Sequence, residues 1–312
     1  MSRRRRRREP ERPGPAGFLV VDKPRGWTSH DVVEAARGWL GTRRVGHLGT
    51  LDPLATGLLP LAIRRATKLV SYVDGTKTYW SRIRLGIETD TLDADGAEVE
   101  RYEGPLPEEA AVAEALSHFQ GDIEQIPPMY SAVKLGGVPL YKLARRGEEV
   151  EREPRTVRIE AIRLLRYAAP DLEVEVVCSP GTYVRVLAQD LGRALGCGGH
   201  LADLRRTRNG PFTIEMAATP EALDAAAESG KLEERLIPPA EGVGLPQLPL
   251  DLEQLQRVIH GGDVRSGALV RETVGGRYAA VDRSGDLVAI LELGPAGMLR
   301  PIRVLRSPVG SS

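Results

Sequence analysis

The 312-residue chain balances 43 Lys and Arg against 43 Asp and Glu, for a formal net charge of +0 with 28% charged residues. That composition describes a soluble globular protein with enough length for a full core and a second module, and it excludes a helical membrane protein, since no stretch approaches the ~20 apolar residues of a span. The only two cysteines, Cys178 and Cys197, sit in apolar or Gly-rich surroundings without zinc-ligand spacing, so they read as buried reduced thiols rather than a disulfide or metal site.

Residues 1–15 read as a disordered basic arm. The run Arg3–Arg8 has no apolar segment behind it of the kind a signal peptide needs, which points to a cytoplasmic protein whose arm attracts nucleic acid with little sequence preference. Phe18–Val21 is a short apolar strand. Thr28-Ser29-His30-Asp31 ahead of an amphipathic stretch ending at Gly41 predicts a capped helix. Tyr79–Ile87 alternates bulky and polar residues like a half-buried strand, and Pro107–Phe119 has helical spacing. Strands are expected again at Thr156–Tyr167 and Leu172–Cys178, then a helix from about Tyr183 to Leu195.

Charge is segregated along this chain although its sum is zero. Acids gather at Glu88–Glu100 and Glu221–Glu234, which leaves arginines concentrated in the arm, at Arg43-Arg44, and at Arg205, Arg206 and Arg208 as expected phosphate-binding patches. No GxGxxG fingerprint or Walker loop supports dinucleotide or NTP chemistry. A Pro-rich passage from Ile237-Pro238-Pro239 to Leu248-Pro249-Leu250 breaks the periodicity and marks a domain boundary. Beyond it, a short helix near Leu252–His260 and strands at Ala268–Val274, Arg277–Val281, Leu287–Leu293 and Leu299–Leu305 predict a compact β-barrel.

The most informative stretch is Gly46–Gly57, where a single acid, Asp52, stands in an otherwise uncharged segment punctuated by Gly46, Gly49, Pro53 and Gly57. Backbones held this rigidly present binding or catalytic groups, although an isolated Asp-Pro also serves as a plain turn. The segment from Arg43 to Pro60 resembles the catalytic motif of the TruB family of tRNA pseudouridine synthases. Further blocks keep that family's order from about residue 17 to 213: Asp22-Lys23-Pro24, Lys77-Thr78-Tyr79-Trp80, Thr89–Gly96, Pro127–Lys134, Gly181–Arg185 and His200–Thr207.

The resemblance implies an α+β pseudouridine-synthase fold, an antiparallel-rich mixed sheet flanked by helices. It places the catalytic domain at 16–240 with a thumb-like insertion at about 125–153, and a PUA-like RNA-binding β-barrel at 245–312. It implies isomerisation of uridine to pseudouridine at position 55 in the tRNA T-loop, by a stand-alone monomer that needs no protein partner, cofactor or metal. Asp52 is then the nucleophile, Arg185 its cation and Tyr79 the residue that stacks on the uracil and passes a proton. His47 inserts into the RNA loop, Asp93 and Leu204 line the pocket, and Lys23 and Pro24 support its floor. Attack at C1′, attack at C6 and elimination to a glycal all remain open. So do two other classes: a non-catalytic RNA-binding or RNA-folding protein, and a nucleoside or glycoside hydrolase using the acids around Asp93.

Overall fold

The computed structural model describes residues 14–131, 134–144, 146–148, 150–265 and 275–305. The Arg3–Arg8 run and the expected strand Ala268–Val274 lie outside the described residues.

The chain begins with β1 (Gly17–Lys23), an apolar run buried on both faces. α1 (Ser29–Leu40) opens on a full capping box: the Asp31 N–H donates to the Thr28 hydroxyl at 3.1 Å, and the Thr28 N–H donates to the Asp31 carboxylate at 2.8 Å. Gly41 closes the helix in the left-handed region, where a side chain is disfavoured. β2 (Val45–His47) and β3 (Thr56–Ile63) follow, then a 3₁₀ segment (Arg64–Tyr72) and β4 (Lys77–Leu85). The strand expected over Tyr79–Ile87 is in fact two. Gly86 turns the chain at φ +86°, and β5 (Ile87–Thr89) leaves the main sheet to pair with β6 (Glu98–Arg101).

α2 (Glu109–Ser117) and β7 (Gly121–Gln125) lead into the insertion, which holds a hairpin of β8 (Lys134–Leu135) and β9 (Val138–Pro139) and the short α3 (Leu140–Ala144). β10 (Arg155–Ala168), β11 (Asp171–Cys178), α4 (Val184–Ala194), β12 (Gly199–Asn209), β13 (Phe212–Thr213), α5 (Pro220–Glu228) and α6 (Pro239–Gly242) complete this part. The main sheet runs β1-β3-β12-β4-β11-β10-β7, and within that order only β3 and β12 are parallel. β2 shares an edge of β3 with β12: His47 faces Leu61 at one end, and Arg206 faces Gly57 at the other. The Asp52 segment leaves and rejoins the sheet at this split.

Gly57 is required there by geometry. Its φ is +96°, and a Cβ built on it would lie 2.4 Å from the Arg206 carbonyl oxygen. Gly57→Ala should therefore lower stability by more than ~1 kcal/mol. An unchanged urea midpoint would contradict this packing.

The remaining elements are β14 (Gln247–Pro249), α7 (Leu252–Ile259), β15 (Val264–Arg265), β16 (Arg277–Val281), β17 (Leu287–Leu293) and β18 (Met298–Val304). They form a five-stranded sheet ordered β14-β16-β17-β18-β15. Its core is partly shared with the main sheet: Phe18, Leu58 and Phe212 cluster with Ala279, Val281 and Ile290. Tyr72 reinforces the junction, with the guanidinium groups of Arg277 and Arg303 5.8 and 5.9 Å from its ring centre.

Candidate active site

The Asp52 loop is held from several sides by groups that bond its backbone. The Ser29 hydroxyl donates to the Leu51 carbonyl at 3.0 Å and accepts from the Leu51 N–H at 2.8 Å, so α1 fixes the residue before the acid. The Gly26 N–H donates to the Pro53 carbonyl at 2.8 Å and fixes the residue after it. Lys23 is fully buried beneath, donating to the carbonyls of Pro24, Trp27 and, at 3.5 Å, Pro53. Burial lowers the Lys23 ammonium to about 8, against the opposing pull of Asp52. Lys23 thus ties the backbone just beyond its own strand end to the backbone of the loop, and neither Lys23 nor Pro24 lines the cleft beside Asp52.

Arg185 stands in the first turn of α4 and is itself buried. Its Nε lies 3.0 Å from Asp52 Oδ2, one terminal nitrogen donates to Asp93 at 3.3 Å and to the Thr91 carbonyl at 3.1 Å, and the other donates to the Tyr130 carbonyl at 2.8 Å. Every guanidinium nitrogen is engaged, which sets its orientation as a lysine could not. The start of the helix is fixed in turn by Gln125, whose amide bonds both the N–H and the carbonyl of Tyr183. Asp93 is buried, accepts from the Thr91 hydroxyl at 2.6 Å, and reaches the site through Arg185.

Asp52, Tyr79, Arg185 and Leu204 line one cleft of about 200 Å³, smaller than the ~300 Å³ at which drug-sized ligand sites begin. The Asp52 side chain keeps 37% of its surface open to this cleft, with protein around the rest. That burial raises its carboxyl above the ordinary value, while Arg185 pulls it down and Asp93 pushes it up. A carboxylate that reacts in its ionised form here would put the acid limb of the rate profile above the ordinary aspartate value of ~3.9. Single-turnover rates across pH 4–8 check this; a limb at or below the ordinary value would reject the burial argument.

Tyr79 is buried on β4, and burial raises its phenol while Arg206 lowers it. His47 ends β2 half-buried and outside the cleft lining, with Nδ1 unpartnered among the described residues. Burial lowers its imidazole below the ordinary value. The cleft also takes in Lys77 and Tyr183, which the sequence reading did not select as site residues, although both belong to blocks it singled out. Arg206 requires a correction. Its side chain is fully buried rather than offered to phosphate, and Arg205 is already paired with Asp22 at 2.7 and 3.0 Å. The cause is a strand: alternate residues of β12 turn inward, and an irregularity between Arg206 and Arg208 resets which ones do.

Cys178 and Cys197 are both buried and free, and burial pushes the Cys178 thiol up to about 11. No cluster of His, Cys, Asp and Glu among the described residues has the arrangement of a metal site, and no helix there is long and apolar enough to cross a membrane.

Solved structures with this architecture include a Cbf5–Nop10–Gar1 complex, matched with a TM-score of 0.71 at 27% identity over 93% of this chain and 85% of that one. An archaeal box H/ACA Nop10–Cbf5 complex matches with a TM-score of 0.69 at 25% identity over 93% and 86%. The fold is that of the pseudouridine synthases, a mixed α+β architecture with a mainly sheet core. Residues 37–184 match the model of the TruB family pseudouridylate synthase N-terminal domain, and residues 185–246 that of the tRNA pseudouridylate synthase B C-terminal domain. Similar relatives are the tRNA pseudouridine synthase B of Geobacter sulfurreducens, 43% identical over 88% of this chain and 93% of the relative, and that of Aromatoleum aromaticum, 46% identical over 87% and 90%. The chain belongs to the TruB family of pseudouridylate synthases.

Proposed function

We propose that this chain converts uridine to pseudouridine at position 55 in the T-loop of tRNA, with Asp52 as nucleophile, as a cytoplasmic monomer that needs no protein partner. The observation that carries this reading is the 3.0 Å contact of Asp52 with Arg185 at a base-sized cleft shared with Tyr79. In the reaction the uracil N1–C1′ bond breaks, the base turns, and a C5–C1′ bond forms; C5 loses a proton and N1 gains one. No atom is added overall and no electrons are exchanged. A carboxylate suits the electron-poor sugar carbon or base that arises on the way, and in this reading the Tyr79 hydroxyl moves the proton.

The target base must leave its stack to reach the cleft, at a cost of a few kcal/mol. His47 sits in the same segment as Asp52 and fills the space vacated in the loop. Asp93 holds Arg185, Leu204 packs on the base, and Lys23 with Pro24 supports the floor. The insertion at 125–153 closes over the RNA, while the five-stranded C-terminal sheet, PUA-like in its role, and the arginine arm add contacts to the phosphate backbone. His47→Ala should slow the reaction of intact tRNA more than that of a short, loosely stacked T-loop RNA. Equal losses on both RNAs would remove His47 from this role.

A further inference from the structure

Arg206 is a fully buried guanidinium with no carboxylate in ion-pair contact among the described residues. Instead it donates to three carbonyls: Nε to Leu58 at 2.7 Å, one terminal nitrogen to Gly49 at 3.1 Å and the other to Thr50 at 3.5 Å. Two of these belong to the loop just before Asp52, and the third to the strand just after it. Burying a charge on neutral acceptors is costly, and a core needing only cohesion is served better by an apolar side chain. The same residue is the cross-strand partner of Tyr79 in the β12–β4 ladder, where directly opposed side chains share a face.

We propose that Arg206 is a positioning residue of the catalytic centre, which sets the Asp52 loop against the cleft and holds the Tyr79 hydroxyl in the orientation from which it exchanges a proton with the base. The inference rests on the function proposed above. The backbone contacts fix where the nucleophile stands. The neighbouring positive charge steadies Tyr79 when its proton is away and opposes the upward push of burial on that phenol. Burial is the main cause that lowers His47, Lys77 and Lys23 around the loop, and the Arg206 charge adds to it in each case, so one buried charge acts on several groups there.

The test compares wild type, Arg206→Lys and Arg206→Gln, each alone and with Tyr79→Phe, by circular dichroism, tRNA binding and the single-turnover rate of pseudouridine formation at saturating enzyme. Arg206→Lys keeps the charge but not the fork. It should fold and bind tRNA like wild type while the single-turnover rate falls ~100-fold, the scale of an ångström of misplacement. Arg206→Gln should also fold and bind tRNA but lose more of the rate than Arg206→Lys, and with Tyr79→Phe the paired losses should be less than multiplicative. Wild-type rates in either single variant overturn the proposal. So does failure of both to fold, which assigns Arg206 to the fold alone, or losses that multiply in full with that of Tyr79→Phe. Absence of pseudouridine with wild type would instead strike the proposed function itself.

Discussion

Asp52→Asn should reduce pseudouridine formation at least ~10⁴-fold, below detection in an ordinary assay, without weakening the fold. The substitution keeps the shape and removes the nucleophilic charge. Its stability consequence follows from linkage. Burial raises the Asp52 carboxyl in the folded state above its unfolded value, so the fold binds this proton more tightly than the unfolded chain does. The corresponding stability is complete below the unfolded value and is lost as pH rises through the folded one. At neutral pH the ionised carboxylate is therefore a burden, and a neutral amide relieves it. Arg185 keeps its contacts to Asp93, Thr91 and Tyr130 in the variant. Thermal melts at pH 7 should place Asp52→Asn level with wild type or above it, and a clear fall would show that Asp52 holds the fold as well as the chemistry.

Arg185→Met should cost both activity and stability. It leaves Asp52 and the buried Asp93 facing each other with no cation between them. Breaking a buried pair by removing one partner costs about 3–5 kcal/mol, and the partial exposure of Asp52 puts this site at the low end of that range. Without the cation the Asp52 carboxyl rises further in the folded state, so the deficit relative to wild type should grow as pH increases and shrink in acid, where it is protonated. Denaturant midpoints at pH 5 and pH 8 read the difference, and a deficit independent of pH would mean that lost packing, not unpaired charge, is responsible. Arg185→Lys keeps the charge without the fork and should still bind tRNA with strongly impaired turnover. Added to Asp52→Asn it should do no further harm to the reaction, because the two residues act as one unit.

Local signals were legible in proportion to how local their physics is. The Thr28–Asp31 cap and the alternation of Leu172–Cys178, buried at every second residue, need only near neighbours. Asp52 stood out because turn-forming residues surround it. The meeting of Asp52, Asp93 and Arg185 was available only through the family resemblance, since no periodicity joins a loop, a turn and a helix start so far apart in sequence. β3 was not among the expected strands: Pro60 within it cannot donate to a ladder, and its carbonyl instead accepts from the Leu48 N–H beyond the end of β2. Arg206 was misread because a basic run suggests a surface. A strand reading of Leu204-Arg205-Arg206 would have put Leu204 and Arg206 on one face, and Leu204 already marked that face as inward.

The most direct measurement is the product itself. Purified wild-type protein is incubated with an unmodified tRNA transcript without added cofactor, and the RNA is then mapped for pseudouridine, weighed by mass spectrometry and assayed for released uracil. The account predicts one pseudouridine, in the T-loop at position 55, with the RNA mass unchanged and no free base. Released uracil would make the protein a hydrolase, and tight tRNA binding with no pseudouridine would make it a binding protein; either result contradicts the assignment of Asp52 to an isomerisation.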